Sequence, residues 1–240
     1  MGVEVRAERG KPWGSIYGTS WQRDAEGRLV INDDPSDPDY GRPLPAAGKT
    51  FLGSVLPDWT MGISSGFEFS GLRLSVLFDI KKGGVRWNGT RGVMTATGTH
   101  ANTENRGETV VFEGVTGHYD GSGQLVISGG TNTVETSLDQ SWYQHLGGGF
   151  EGPAEQFIED ADRISLREVS LSYSFDNKWL SKSFFRSFEL FFSGRNLWVW
   201  TPYSGSDPGS SLMGSYAVQG LDYFNMPGSR TYTVGLRCRL

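Results

Sequence analysis

The stretch WTMGISSGFEFSGLRLSVLFDIKKGG, residues 59–84, decides the fold. Successive side chains of a β-strand point to opposite faces. Counted by twos, Trp59, Met61, Ile63, Ser65, Phe67 and Phe69 share one face, against Thr60, Gly62, Ser64, Gly66 and Glu68. After Ser70-Gly71 the phase resumes, with Leu72, Leu74, Val76, Phe78 and Ile80 set against Arg73, Ser75, Leu77 and Asp79. A two-residue turn makes its flanking residues pair and face the same side, so Phe69 and Leu72 should both be apolar, as they are. Each arm is about ten residues, near the ~9–11 of a tilted membrane-crossing strand and above the ~5–6 of a globular one.

The same alternation recurs elsewhere, and helical periodicity is almost absent, so the chain reads as all-β. Val169, Leu171, Tyr173 and Phe175 oppose Glu168, Ser170, Ser172 and Ser174. Phe188, Leu190 and Phe192 oppose Glu189 and Ser193, with Phe191 out of pattern. Ile164 and Leu166 are out of phase with Val169, which predicts a bulge near Arg167. The segment RTYTVGLRCRL, residues 230–240, alternates Tyr232, Val234, Leu236, Cys238 and Leu240 with Thr231, Thr233, Gly235, Arg237 and Arg239. Trp179, Phe184 and Phe185 cluster at one end of the second hairpin, and Trp198, Trp200 and Tyr203 a strand length away, as two interfacial aromatic bands would.

Composition narrows the classes. The 240 residues are 37% hydrophobic and 13% aromatic, carry 34 glycines and a formal charge of −5, and suit folded β-structure with long polar loops. No apolar run approaches the ~18 residues of a transmembrane helix, and MGVEVRAERG lacks the apolar core of a signal peptide. A single cysteine, Cys238, excludes an intrachain disulfide framework, and the acidic balance gives no footprint for nucleic acid. The connections are unequal: Ser70-Gly71 and 176–186 are short, whereas 81–162 and 201–229 are long and fall on the other side. Short turns on one side and long loops on the other are the pattern of outer-membrane barrels.

Five segments, GSIYGTSWQRDAEGRLVI, LGSVLPDWTMGISSGFEFSGLRLSVLFDIKKGG, FIEDADRISLREVSLSYSF, FFSGRNLWVWTPYSGSDP and MPGSRTYTVGLRCRL, follow in this order through nearly the whole chain. Together they resemble the C-terminal end of SusC/RagA-like TonB-dependent transporters of the outer membrane. Leu240 stands where that family usually has Phe, and Gly209 where an acidic residue commonly follows Asp-Pro. The resemblance implies that residues 1–240 are the C-terminal part of a larger, plugged, antiparallel transmembrane β-barrel, about six strands with long extracellular loops. The plug and N-terminal barrel have no counterpart here. It further implies import of a glycan or peptide together with a SusD-like surface lipoprotein, drive from TonB through the missing plug region, and contact with outer-membrane lipid.

On that reading Glu68, Arg73, Glu168, Arg237 and Arg239 line the lumen. Tyr232, Val234, Leu236, Cys238 and Leu240 form the terminal strand signal for the barrel assembly machinery, and that strand pairs with the first to close the barrel. Trp87, Trp142 and Tyr143 are the candidate ligand-contacting aromatics of the long excursion, with anchoring of the loop as their structural alternative. Nothing points to catalysis or a cofactor. His100, His118 and His145 lack metal-ligand spacing and read as solvated loop residues. Asp33, Asp34, Asp37 and Asp39 lie between prolines without the spacing of a calcium loop, so turn chemistry accounts for them. Gly147 to Gly149 precede no helix and predict no phosphate cradle, while Thr109 to Phe112 and Gln124 to Ser128 are candidates for a small hairpin. The rival class is a soluble β-sandwich carbohydrate-binding module, in which the apolar faces pack on a protein core.

Overall fold

The computed structural model describes residues 2–175, 187–212 and 219–239. In chain order its strands are β1 (Val3–Arg6), β2 (Ser15–Gly18), β3 (Val30–Asn32), β4 (Thr50–Ser54), β5 (Trp59–Phe69), β6 (Leu72–Lys82), β7 (Val85–Asn88), β8 (Thr109–Val110), β9 (Val115–Tyr119), β10 (Leu125–Thr131), β11 (Thr136–Ser137), β12 (Ile158–Asp160), β13 (Arg163–Ser174), β14 (Ser187–Trp200), β15 (Leu221–Asp222) and β16 (Thr231–Arg239). Two short helices, α1 (Gly89–Ala96) and α2 (Gln140–Gln144), lie between them. The all-β reading holds. The chain divides into two units, Met1–Val55 with Arg86–Glu159 and Ser211–Asn225, and Leu56–Val85 with Asp160–Ser210 and Met226–Leu240.

The second unit is built on one antiparallel sheet in the order β16-β14-β13-β6-β5. The hairpin of residues 59–84 forms as its phase dictates: Phe69 pairs with Leu72, and the ladder continues without a slip to Trp59 opposite Lys82. Ser70 and Gly71 both adopt positive φ, 47° and 83°, the geometry of a turn whose twist matches that of its strands. Gly71 has no alternative, since a Cβ there would lie 2.6 Å from the Ser174 carbonyl oxygen. The bulge expected near Arg167 is present: the registers of β13 with β6 and with β14 both shift between Leu166 and Glu168. Through it Leu166 joins Val169 on one face, opposite Phe78 and Trp198. Among the described residues five long strands form this sheet where about six were expected, because the chain before Val55 folds into strands of three to five residues in the other unit. No closed barrel is formed by the described residues; β16 and β5 are the free edges.

The first unit holds small sheets, β1-β2-β4, β10-β9-β3, β11-β8 and β12-β7-β15. Its core includes Ile16, Val30, Ile31, Val115, Trp87 and Phe157. The hairpin imagined between Thr109 to Phe112 and Gln124 to Ser128 does not exist: β8 pairs with β11, and β10 pairs with β9. The Asp120 carboxylate accepts from the Ser122 and Gln124 amides and so closes the tight β9-β10 turn, which takes β10 away from β8.

Candidate functional site

The long sheet has two chemically different faces. Trp59, Met61, Ile63, Phe67 and Phe69 of β5 continue into Leu72, Leu74, Val76, Phe78 and Ile80 of β6. They run on into Tyr173, Leu171, Val169, Leu166 and Ile164 of β13, then Leu190, Phe192, Trp198 and Trp200 of β14. Tyr232, Val234 and Leu236 of β16 complete the face. It is not covered: Phe67 is 61% exposed, Leu236 62% and Val234 71%. A sandwich would pack this surface under a second sheet, so its exposure counts against the soluble β-sandwich alternative.

The other face is polar and ordered by ion pairs across the ladder. Arg73 reaches Glu68 at 2.9 Å across the first hairpin, Arg195 reaches Glu168 at 3.2 Å, and Arg237 reaches Glu189 at 2.6 Å. Four of the five residues expected on the polar side, Glu68, Arg73, Glu168 and Arg237, make these pairs, and Arg239 lies opposite Ser187 on the same face. Glu189 and Arg195 were not singled out, although the phase through Glu189, Ser193 and Arg195 carries them to the same side. Phe191 interrupts this face for a reason visible only in three dimensions. It pairs with Gly235, and a Cβ on Gly235 would lie 2.3 Å from the ring. The Arg237 guanidinium sits 5.8 Å above the same ring. The ring therefore covers a glycine and packs under a cation instead of pointing into water.

At the bulge, Arg167 donates to the Asn196 side chain and to Asp79, each at 3.2 Å. Arg163, whose side chain is 9% exposed, lies between Asp79 at 3.8 Å and Asp207 at 3.9 Å, tying the segment after β14 to the sheet. In that segment Tyr203 is buried at 4%, which corrects its assignment to an exposed aromatic band. Its amide donates to the Thr201 hydroxyl just past Pro202, turning the ring inward. Trp198 and Trp200 do stay exposed on the apolar face. Trp179, Phe184, Phe185 and Leu240 lie outside the described residues.

The aromatics proposed for ligand contact are interior. Trp87 is 2% exposed, and Trp142 and Tyr143 are each 8%. Trp142 stacks on Trp21 at 6.3 Å and touches Phe112 at 4.9 Å, while Trp87 stacks on Tyr223 at 6.5 Å. Their ring faces are occupied by protein, so the anchoring alternative describes Trp87 and Trp142. Tyr143 differs in one respect: it also borders an open cleft of about 460 Å³ with Arg106, Asp139, Gln140 and Gln144. Burial raises its phenol pKa. Asp139 caps α2 by accepting from the Trp142 amide at 2.9 Å. Its carboxyl is held below the usual range, first by the Ser141 hydroxyl, then by that amide, with Arg42 adding to both. The glycine run is likewise packing: a Cβ on Gly147 would strike the Trp142 ring, one on Gly148 the Tyr143 carbonyl and Ala96, and one on Gly149 the backbone of Gly92.

Two of the aspartates of 33–39 act within their turn, Asp34 accepting from the Ser36 amide and hydroxyl and Asp37 from the Asp39 amide, while Asp33 meets His118 of β9 at 2.7 Å. His145 pairs with Glu151, and His100 caps a 3-10 turn through the Asn102 amide. Among the described residues no group of three or more His, Cys, Asp or Glu is placed to hold a metal ion.

No family model matches the chain. It is 22% identical to TonB-dependent receptor P3 of Formosa agariphila over 96% of its own length and 22% of that receptor, and 26% identical to TonB-dependent receptor P39 over 80% of its length and 17% of that receptor. The chain thus spans about a fifth of the length of the curated relatives it matches. Among solved structures it is similar to a chain of the RagAB peptide transporter, with TM-score 0.57 and 17% identity over 99% of this chain and 25% of that one. It is similar too to the RagAB peptide importer in its open-open state, with TM-score 0.56, 18% identity and coverage of 100% and 24%. Along most of its length the chain is thus similar in sequence to TonB-dependent receptors, and it shares the fold of the matching part of the RagAB chains.

Proposed function

We propose that residues 1–240 are the C-terminal wall and loops of a transmembrane β-barrel that imports a nutrient across the outer membrane. The observation that carries this reading is the continuous, exposed apolar face on five strands of 9 to 14 residues. Water-soluble monomers rarely leave such a surface bare, whereas lipid is its natural solvent in a barrel. The polar face then looks into the lumen, where Glu68, Arg73, Glu168, Arg237 and Arg239 meet water and cargo. The free edges, β5 and β16, pair with strands of the rest of the barrel. Tyr232, Val234, Leu236, Cys238 and Leu240 serve as the terminal strand that the assembly machinery reads.

In the complete receptor, a SusD-like lipoprotein delivers a glycan or peptide to the outer loops and TonB opens the plug. A peptide is the better supported cargo, because the similar solved structures are peptide importers. The cleft beside Tyr143, with Arg106, Gln140 and Gln144, is the part of the first unit suited to cargo contact. The facing assignment is tested by placing arginine at Val76 on the apolar face and at adjacent Ser75 on the polar face, with membrane-embedded folding as the readout. Loss of folding for Val76→Arg alone supports the barrel; equal tolerance at both positions overturns it.

A further inference from the structure

The apolar face ends, on the side of Trp198 and Trp200, in features that plain hydrocarbon contact does not require. Arg230 precedes β16 by one residue and shares the phase of Tyr232, Val234 and Leu236. Its guanidinium lies 5.5 Å over the Trp198 ring, and among the described residues it makes no ion pair. Trp198 and Trp200 pack against each other with ring centroids 6.2 Å apart. Beside Trp200, the residues Ile80, Ile164, Pro202 and Lys82 border an open groove of about 320 Å³, continuous with the apolar face because Ile80, Ile164 and Trp200 are successive partners across the ladder. Lys82, at the head of this groove, is neutralised by Asp162. Arg230, which also borders a polar cleft with Arg167, Asn196 and Asp207, makes no such pair among the described residues.

A guanidinium on the lipid-side phase is costly in hydrocarbon and at ease at headgroup depth, where its stem lies along apolar surface and its charge reaches out. Its planar fork of donors matches phosphate oxygens, and stacking on an indole presets its orientation. The neighbouring groove offers aliphatic and indole walls that suit an acyl chain. We infer that this end of the sheet is a binding site for an anionic, phosphorylated lipid, with the phosphate on Arg230 above Trp198 and an acyl chain in the groove of Ile80, Ile164, Trp200 and Pro202. A free phosphate would use the arginine alone and leave the groove empty, so the lipid is the occupant. The inference rests on the membrane reading above.

The test takes the receptor that carries this chain, purified in neutral detergent, and measures by native mass spectrometry the retention of lipid A and of the same lipid with its phosphates removed. Wild type should prefer the phosphorylated form about tenfold, the scale of one charge-assisted contact. Arg230→Gln should abolish the preference, Arg230→Lys should keep part of it, and Trp200→Ala should weaken both lipids alike. Arg239→Gln, on the opposite face, should change neither, and each variant is first shown to migrate as a heat-modifiable band. Equal retention of the two lipids by wild type, or an undiminished preference in Arg230→Gln, overturns the site while the barrel stands. A receptor that stays monodisperse in water without detergent overturns the membrane reading and this site with it.

Discussion

Arg237 of the edge strand β16 and Glu189 of β14 face each other directly across the ladder and join at 2.6 Å, while Cys238 beside Arg237 pairs with Phe188 on the opposite face. One step along the chain thus passes from a charged pair to the apolar set. The pair is solvent-facing, with Arg237 73% exposed, so it sets register more than it stabilises. A double-mutant cycle of Arg237→Ala and Glu189→Ala should give a coupling of about 0.2–1 kcal/mol, falling as salt is raised. A coupling of several kcal/mol, insensitive to salt, would mean that this face is dry.

Val76 sits mid-strand on the apolar face and pairs with Ser65 and Val169, while Ser75 pairs with Gly66 and Ser170 on the polar one. Val76→Arg should cost about 2–4 kcal/mol in lipid, and Ser75→Arg about 1 kcal/mol or less. Urea-driven unfolding from lipid vesicles measures both.

Gly235 has no room for a side chain beneath Phe191. Gly235→Val should therefore destabilise by about 1–3 kcal/mol through overpacking, and Phe191→Ala in the same chain should recover much of that loss. Absence of recovery in the double variant would show that the ring does not cover the glycine.

Trp142 packs in a cluster with Tyr143, Leu146, Trp21, Phe112 and Leu138. Trp142→Ala should cost the first unit about 3–5 kcal/mol, seen as loss of near-ultraviolet circular dichroism at a lower denaturant concentration. A variant that keeps its stability and loses only cargo affinity would restore the ligand-contact role for this ring.

The Asp139 carboxyl is lowered in the folded chain, so its contribution is present above the unfolded value, near pH 4, and is lost as pH falls through the folded one. Asp139→Asn should make the first unit less stable at pH 7 and narrow the gap to wild type below pH 4. Stability curves against pH for both proteins check this, and a constant gap down to pH 2 would contradict it.

The long hairpins were legible because period-2 alternation over ten or more residues carries its own phase, enough to locate the Ser70-Gly71 turn and the Arg167 bulge. The short elements were not. Strands of two to five residues, such as β8 and β11, are too brief for a period to show. Trp87 and Trp142 looked like loop aromatics because nothing in one sequence tells that a polar excursion has a core of its own. Tyr203 was misplaced by a single turn after Pro202. Phe191 looked like an error in the pattern until Gly235 was seen beneath it. The ion-paired polar face could be read in part: parity placed Glu68, Arg73, Glu168, Arg237 and Arg239, and only the register between strands showed which carboxylate each arginine meets.

The most direct test of the membrane reading is fractionation of the expressed receptor that carries this chain. It should sediment with the outer membrane and run as a heat-modifiable band, compact when unheated and slower after boiling. A water-soluble, cooperatively folding monomer recovered without detergent would show that the apolar face of β5, β6, β13, β14 and β16 is not met by lipid, and the account would fail at its centre.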